Sequence, residues 1–270
     1  MTDSATRRAA RLVAGGAALL AGVVLADASM EHYRGSFANR AMPAPIIGSA
    51  AALAANGGTA LWGGVVPFSM SLHAASAAIG AAGIGFHTYN ITKQVGGVRW
   101  GTLFYQAPIG APAALILSAA LGAAAQALAG GRATLGPVRL LSGRALAGTC
   151  ALGLVGNAAE VALLHFRGAY HNKAMWLPVT VTPVAAWLMA RAALTGRPTR
   201  ITTAALGLTA ALGLAGAGFH AYGISRNMGG WRNWRQNLLA GPPLPAPPSF
   251  TGLALAGLGA LLLMRRARRA

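Results

Sequence analysis

Four of the six histidines recur at matched positions in two stretches that this sequence contains twice. The stretch HYRGSFANRAMPAP at 32–45 returns as HFRGAYHNKAMWLP at 165–178, and FHTYNITKQVGG at 86–97 returns as FHAYGISRNMGG at 219–230. Imidazole nitrogens ligate haem iron and divalent metal ions, and they exchange protons near neutral pH. The repeated histidines are His32, His87, His165 and His220.

A polar residue follows each repeated histidine at a distance of two. Arg34 and Arg167 follow the first pair, and Tyr89 and Tyr222 follow the second pair. An arginine compensates an anionic group such as a haem propionate, and a tyrosine hydroxyl hydrogen-bonds to a ligand. We therefore interpret the histidines, arginines and tyrosines as parts of one site that the chain builds twice.

Two carboxyl groups repeat in the same way. Asp27 and Glu160 lie 133 residues apart, each inside an apolar run and close to its end. A carboxyl group in a membrane is costly and usually faces a cavity or a partner. Each acid precedes the next histidine by five positions, so the two side chains point about 140° apart around a helix. We expect the acid to pair with an arginine, to bond to another helix or to carry a proton, rather than to share a metal clamp with that histidine.

These residues belong to an internal duplication that covers most of the chain. One register of 133 residues holds from Asp27 to Gly97, and it then slips by about two residues, pairing 107–112 with 242–247. Chance similarity does not keep a register over such a length, so we divide the chain into repeats at 1–131 and 132–270. The first apolar run has a counterpart in mid-chain, which argues against a cleaved signal peptide.

Each repeat contains four apolar runs, and about 20 residues suffice to cross the hydrocarbon core of a membrane. The runs are 9–29, 43–58, 60–86, 107–129, 145–165, 177–195, 201–221 and 244–264. They are continuous rather than alternating, which favours helices over strands. We therefore predict an all-α integral membrane protein with about eight transmembrane helices, arranged as two tandem four-helix repeats in parallel orientation.

Composition supports the membrane and argues against nucleic acid. The chain is 55% hydrophobic and only 10% charged, with a net charge of +18. The basic residues stand in short clusters between apolar runs, as in membrane proteins, and not on one soluble face. The single Cys150 lies in an apolar run and is interpreted as a buried thiol.

The placement of charge predicts an orientation. With eight spans, both termini share one side, and the segments on that side hold the larger number of Arg and Lys. The positive-inside rule then predicts an inner (plasma) membrane protein with cytoplasmic termini. The opposite, outer side holds all five tyrosines and four helix-starting proline pairs. Helix N-termini beside arginines favour an anionic ligand or anionic lipid headgroups.

The residues leave three functions open. The first is a redox or anchor subunit for electron transfer that holds haem b, a metal ion or a quinone, with an extracytoplasmic protein subunit as its partner. The second is a transporter or lipid-handling protein that uses Asp27 and Glu160 together with the outer cations. The third is a structural or assembly subunit without a cofactor, in which the histidines are interfacial residues bonded to backbone carbonyls or lipid. Since the chain has no P-loop, HExxH or GxSxG motif, no enzyme class is indicated.

Overall fold

The computed structural model of the protein describes residues 4–105, 109–132 and 142–268, with the side chains of 103–105 excepted, and these residues form helices joined by loops, without strands. Ten α-helices follow one another along the described residues. Their bounds are α1 Ser4–Arg34, α2 Pro43–Trp62, α3 Ser69–Thr92, α4 Trp100–Tyr105, α5 Gly110–Ala129, α6 Gly143–Arg167, α7 Trp176–Thr195, α8 Arg200–Ser225, α9 Trp234–Ala240 and α10 Pro248–Ala267.

Six of the described helices are long and apolar enough to cross a membrane, which makes this a multi-pass membrane protein. They are Ser4–Arg34, Gly110–Ala129, Gly143–Arg167, Lys173–Thr195, Arg200–Ser225 and Pro248–Ala267. The expected number was about eight. The two other long helices, α2 and α3, overlap predicted runs but are less apolar, because each buries polar side chains such as Asn56 and His73.

The ends of α2 and α7 are built alike. Each helix ends at a glycine in the left-handed region, Gly63 with φ 71° and Gly196 with φ 69°. Arg11 Nε donates to the carbonyl of the last turn of α2 at 2.8 Å, and Arg144 Nε donates to that of α7 at 2.7 Å. Gly63 and Gly196 are 133 positions apart, and so are Arg11 and Arg144, so the offset found in the sequence also relates these two helix ends.

The core depends on small residues that let helix backbones approach closely. A Cβ on Gly16 of α1 would overlap the carbonyl of Gly252 in α10, and one on Gly143 of α6 would lie 2.7 Å from the carbonyl of Ala260. Such close backbone contacts are typical of helices that pack within a membrane. α1 lies at the centre, against α2, α5 and α10.

Two ends of the helix bundle can be distinguished. Arg266 Nη1 donates to Thr6 Oγ1 at 2.5 Å, so both ends of the described chain lie together at what we call the termini end. The last turns of α1, α3, α6 and α8 form the opposite end, which carries the four repeated histidines and is called the histidine end.

The two halves pack on each other unequally. At the histidine end the short helices α4 and α9 cross over, since Trp100 meets the ring of Phe166 on α6, and Arg235 lies 5.5 Å from the ring of Tyr33 on α1. In the bundle, however, α1 packs extensively against α10, whereas α5 and α6 meet at few points. An exact two-fold axis would make those two interfaces alike.

Candidate functional site

The first cavity at the histidine end, the histidine cavity, contains two of the predicted histidines. It has a volume of about 320 Å³ and lies among α1, the start of α2, α3 and the start of α5. Apolar side chains form most of its wall. The polar residues that line it are Asp27, Glu31, His32, Asn39, His87 and Asn90. His32 and His87 come from different helices, so the fold brings them to one space.

Backbone carbonyls of described residues orient His32, His165 and His220. His32 Nδ1 bonds to the carbonyl of Met42 at 2.7 Å, and His165 Nδ1 bonds to that of Met175 at the same distance. His220 Nδ1 bonds in the same way to the segment before α10 at 2.8 Å. Since a carbonyl only accepts, Nδ1 carries the proton, and Nε2 of the neutral ring keeps its lone pair. Histidines that bind metals or exchange protons are oriented in this way, and so are purely interfacial ones.

An aromatic ring supports the first histidine of each half. Phe37 lies edge-on to His32 with ring centroids 6.5 Å apart, and Tyr170 lies edge-on to His165 at 6.0 Å. Both aromatic residues have positive φ, 50° and 48°, in the turn that follows the helix. Positive φ costs a non-glycine residue free energy, so the contact with the histidine contributes to holding the turn in place.

The repeated tyrosines lie elsewhere. Tyr89 and Tyr222 are each 60% exposed, and each ring carries a cation from the next turn of its own helix, Lys93 at 5.6 Å and Arg226 at 5.7 Å. They are outside the described linings of both cavities at this end. The structure therefore places them on the surface of the histidine end, apart from the histidine pair.

A second cavity, the interface cavity, lies between the two halves. It has a volume of about 660 Å³ and is bordered by α1, α5, α6, α9 and the start of α10, on the side where α5 and α6 meet loosely. Its charged and amide lining residues are Asp27, Glu31, Arg34, Asn157, Glu160 and Arg167. The two predicted acids thus reach one space, where they interact electrostatically.

Asp27 borders both cavities and therefore forms part of the wall between them. It shares the histidine cavity with His32, although the two side chains point to different faces of α1. The angular argument from the sequence did not anticipate this, because the cavity covers a broad strip of α1 that includes both residues. At the rim, Arg34 Nη1 and Glu31 Oε1 form an exposed ion pair at 2.7 Å.

Glu160 occupies a helix N-terminus. The N–H of Gly110, the first residue of α5, donates to its carboxylate, and a Cβ on Gly110 would overlap that carboxylate. The sequence led us to expect anions at the N-termini of this end, and here the protein supplies the anion itself. Gly110 and Asn157 were not predicted as site residues, because neither carries a charged or titratable side chain that recurs in the repeat.

The chemistry that these cavities allow is hydrogen bonding and proton exchange. Among the described residues, no group of three or more His, Cys, Asp and Glu side chains is placed to hold a metal ion. His165 and His220 lie close enough to interact electrostatically.

Comparison with known proteins gives no match, whether with protein-family models, curated proteins or solved structures.

Proposed function

We propose that this membrane protein binds a lipophilic small molecule of the quinone class, with its head group in the histidine cavity. The observation that carries the proposal is the convergence of His32 and His87 in a mainly apolar space. An apolar pocket with a few convergent polar groups is the usual form of a small-molecule site. At about 320 Å³ the cavity suits a ring-sized head group, while the tail would extend into the lipid.

The histidines suit both redox states of such a ligand. A neutral imidazole accepts a hydrogen bond from a quinol hydroxyl at Nε2, and a protonated imidazole donates one to a quinone carbonyl. The Asp27 carboxyl, in the same cavity, offers a further place for the proton. A redox or anchor subunit would exchange electrons with an extracytoplasmic protein subunit, and the exposed aromatic and basic residues of the histidine end suit such a partner or anionic lipid.

The proposal includes the finer topology. We propose that α2 and α3 also span, giving eight spans in two parallel repeats of an inner-membrane protein with cytoplasmic termini. The Arg11 and Arg144 contacts and the His32 and His165 contacts support this, because each pair recurs at the offset of 133. The unequal packing of α1–α10 and α5–α6 indicates repeats whose symmetry is only approximate.

Equilibrium binding of a tritiated decyl-benzoquinone to the purified protein tests the ligand. We expect His32→Ala and His87→Ala each to weaken binding about fivefold, as for the loss of one hydrogen bond of about 1 kcal/mol. His171→Ala is the matched control, because this exposed ring bonds to its own loop at Gly168. Equal binding by wild type and the His32→Ala/His87→Ala double variant would contradict the proposal. A Soret band in the purified protein would identify haem b as the ligand instead.

A transporter is the second candidate, and the interface cavity favours it. Asp27 and Glu160 meet there between the halves, where transporters built from repeats place their substrates. Glu160→Gln separates the two candidates, because Glu160 lines only this cavity of the two. It should leave quinone binding unchanged if the ligand occupies the histidine cavity, and should reduce it if the ligand lies between the halves.

A further inference from the structure

A cluster of buried polar side chains lies within the first half, apart from both cavities. We call it the polar cluster, and its members, at most 2% exposed, are Asn56, Thr59, His73, Ser118 and Gln126. Ser118 Oγ donates to the carbonyl of Ala17 at 2.8 Å, and Gln126 Nε2 donates to Thr59 Oγ1 at 2.5 Å. Asn56 Nδ2 reaches Ser118 Oγ at 3.4 Å. The cluster therefore joins α1, α2, α3 and α5.

Three of its polar atoms find no hydrogen-bond partner among the described residues. They are His73 Nδ1, His73 Nε2 and Asn56 Oδ1. The two side chains are neighbours, because a Cβ on Gly122 would overlap Asn56 Oδ1 and lie 2.6 Å from His73 Cε1. Leaving a buried polar atom without a partner is unfavourable, and such atoms in a native protein require an explanation.

The second half builds the same packing without polar groups. Gly257 takes the place of Gly122, and the side chains nearest to its Cβ position belong to Leu206 and Met189, which correspond to His73 and Asn56 at the offset of 133. The counterparts of the other cluster members are Ala192, Leu253 and Leu261, all buried. Apolar residues thus satisfy the fold at these positions, so packing alone does not account for the polar cluster.

The polar cluster lies between the termini end and the histidine cavity. Toward the termini end, Gln126 Oε1 accepts a hydrogen bond at 3.0 Å from Val66 N in the loop between α2 and α3. Toward the histidine end, Ser76 lies one turn after His73 and donates to the carbonyl of Gly48 at 2.9 Å. One turn further along α3, Gly80 lines the histidine cavity. Polar groups thus extend from the α2–α3 loop through the polar cluster to Ser76, one turn of α3 before the histidine cavity.

We propose that His73 transfers protons along a path through the first half, between the termini end and the histidine cavity, and that the second half is its sealed counterpart. One ring nitrogen takes up a proton while the other releases one, so the imidazole becomes neutral again and one proton has moved. Ser76 and water entering from the cavity carry it over the remaining about 10 Å of α3. Asp27 receives it in the cavity wall.

The surroundings of His73 suit such a role. Asn56 from α2 and Gly122 from α5 face the ring, and neither is charged or titratable. Both ring nitrogens are free of hydrogen bonds to the described residues, so neither is committed to a donor or an acceptor role. Buried ionisable residues in membrane helices commonly serve as proton relays. The path does not depend on which ligand occupies the histidine cavity.

Proton flux into vesicles tests the path. The protein is reconstituted into liposomes that contain the pH dye pyranine, and valinomycin with a potassium gradient sets the membrane potential. We expect wild type to conduct protons above protein-free vesicles and His73→Leu to lose this flux. Asn56→Met should reduce it. His171→Ala is the control, since this histidine lies in an exposed loop. Both path variants introduce the residue that the second half carries at the corresponding position, so they should fold.

The outcome separates this proposal from the ligand proposal. Wild-type flux in His73→Leu, or no wild-type flux above protein-free vesicles, would overturn the path. Quinone binding is measured on the same samples, and retained binding by His73→Leu shows that the variant is folded. If wild type fails to bind quinone but conducts through His73, the path stands and the ligand is wrong.

Discussion

The paired substitutions Gly122→Ala and Gly257→Ala test the contact on which the proton path depends. Both glycines sit at corresponding positions of α5 and α10. At Gly122 the new methyl group would overlap the amide oxygen of Asn56, a short side chain that is fully buried. At Gly257 the nearest atom is a terminal methyl of Leu206 at 3.0 Å, which needs to move by only a few tenths of an ångström.

The two substitutions are expected to change the free energy of unfolding by different amounts. Overpacking against Asn56 costs about 1–3 kcal/mol of unfolding free energy, because either the amide or α5 must shift. At Gly257 a smaller strain is offset by the helix propensity of alanine, about 1 kcal/mol better than glycine. Alanine gains the same propensity at Gly122, so we expect Gly257→Ala to be close to neutral and Gly122→Ala to be less stable than wild type by up to about 2 kcal/mol, or up to about 8 °C in melting temperature.

The chain supplies its own probe for this measurement. Cys150 is the only cysteine and is fully buried, so a thiol-reactive dye reports unfolding as the detergent-solubilised protein is heated. Both variants and wild type are compared under one condition. Equal melting temperatures for the two variants would refute the packing of Asn56 and His73 against Gly122, and with it the geometry of the polar cluster.

Three further predictions concern the helix ends, the Glu160 contact and the topology. Arg144→Ala should destabilise the protein by about 2 kcal/mol and Arg11→Ala by about 1 kcal/mol, because Arg144 donates to two carbonyls and Arg11 to one. Thermal unfolding measures both changes. The reverse order would contradict these contacts at the ends of α2 and α7. Gly110→Ala should lower the melting temperature, since its Cβ displaces the Glu160 carboxylate from the start of α5, and an unchanged value would show that the carboxylate is not held there. A cysteine placed in the 63–68 loop should react with an impermeant maleimide from the side of the termini, whereas reaction from the other side would exclude eight spans.

The apolar runs predicted where the long helices lie, but they did not predict where those helices begin and end. The run at 60–86 begins before its helix, Ser69–Thr92, because apolar residues such as Val65 and Phe68 lie exposed in the connecting loop. The run at 9–29 stops before its helix does, since polar residues continue α1 to Arg34. The histidines at 32 and 87 therefore lie inside helices, which a hydropathy boundary would have placed in loops.

The cavities could be predicted only in part. The repeat identified His32, His87, Asp27 and Glu160, all of which line a cavity at the histidine end. Which residues share a cavity depends on helix rotation and on the unequal packing of the two halves, neither of which a repeat contains. The polar cluster carried a different signal, a mismatch between the copies. At the offset of 133, His73 corresponds to Leu206 and Asn56 to Met189, so a polar side chain in one copy replaces an apolar one in the other.

The same mismatch explains why α2 and α3 are less apolar than their counterparts α7 and α8, which are apolar enough to span a membrane. The helices of the first half contain buried polar residues such as Asn56 and His73. Those residues face the interior, while exposed positions of α2 carry large apolar side chains such as Ile47 and Leu61. Helices of 20 and 24 residues reach about 30 Å and 36 Å, enough for the hydrocarbon core. The low hydropathy of α2 and α3 is therefore compatible with the proposed eight spans, because buried polar residues account for it. The proposed proton path uses two of the same residues, Asn56 and His73.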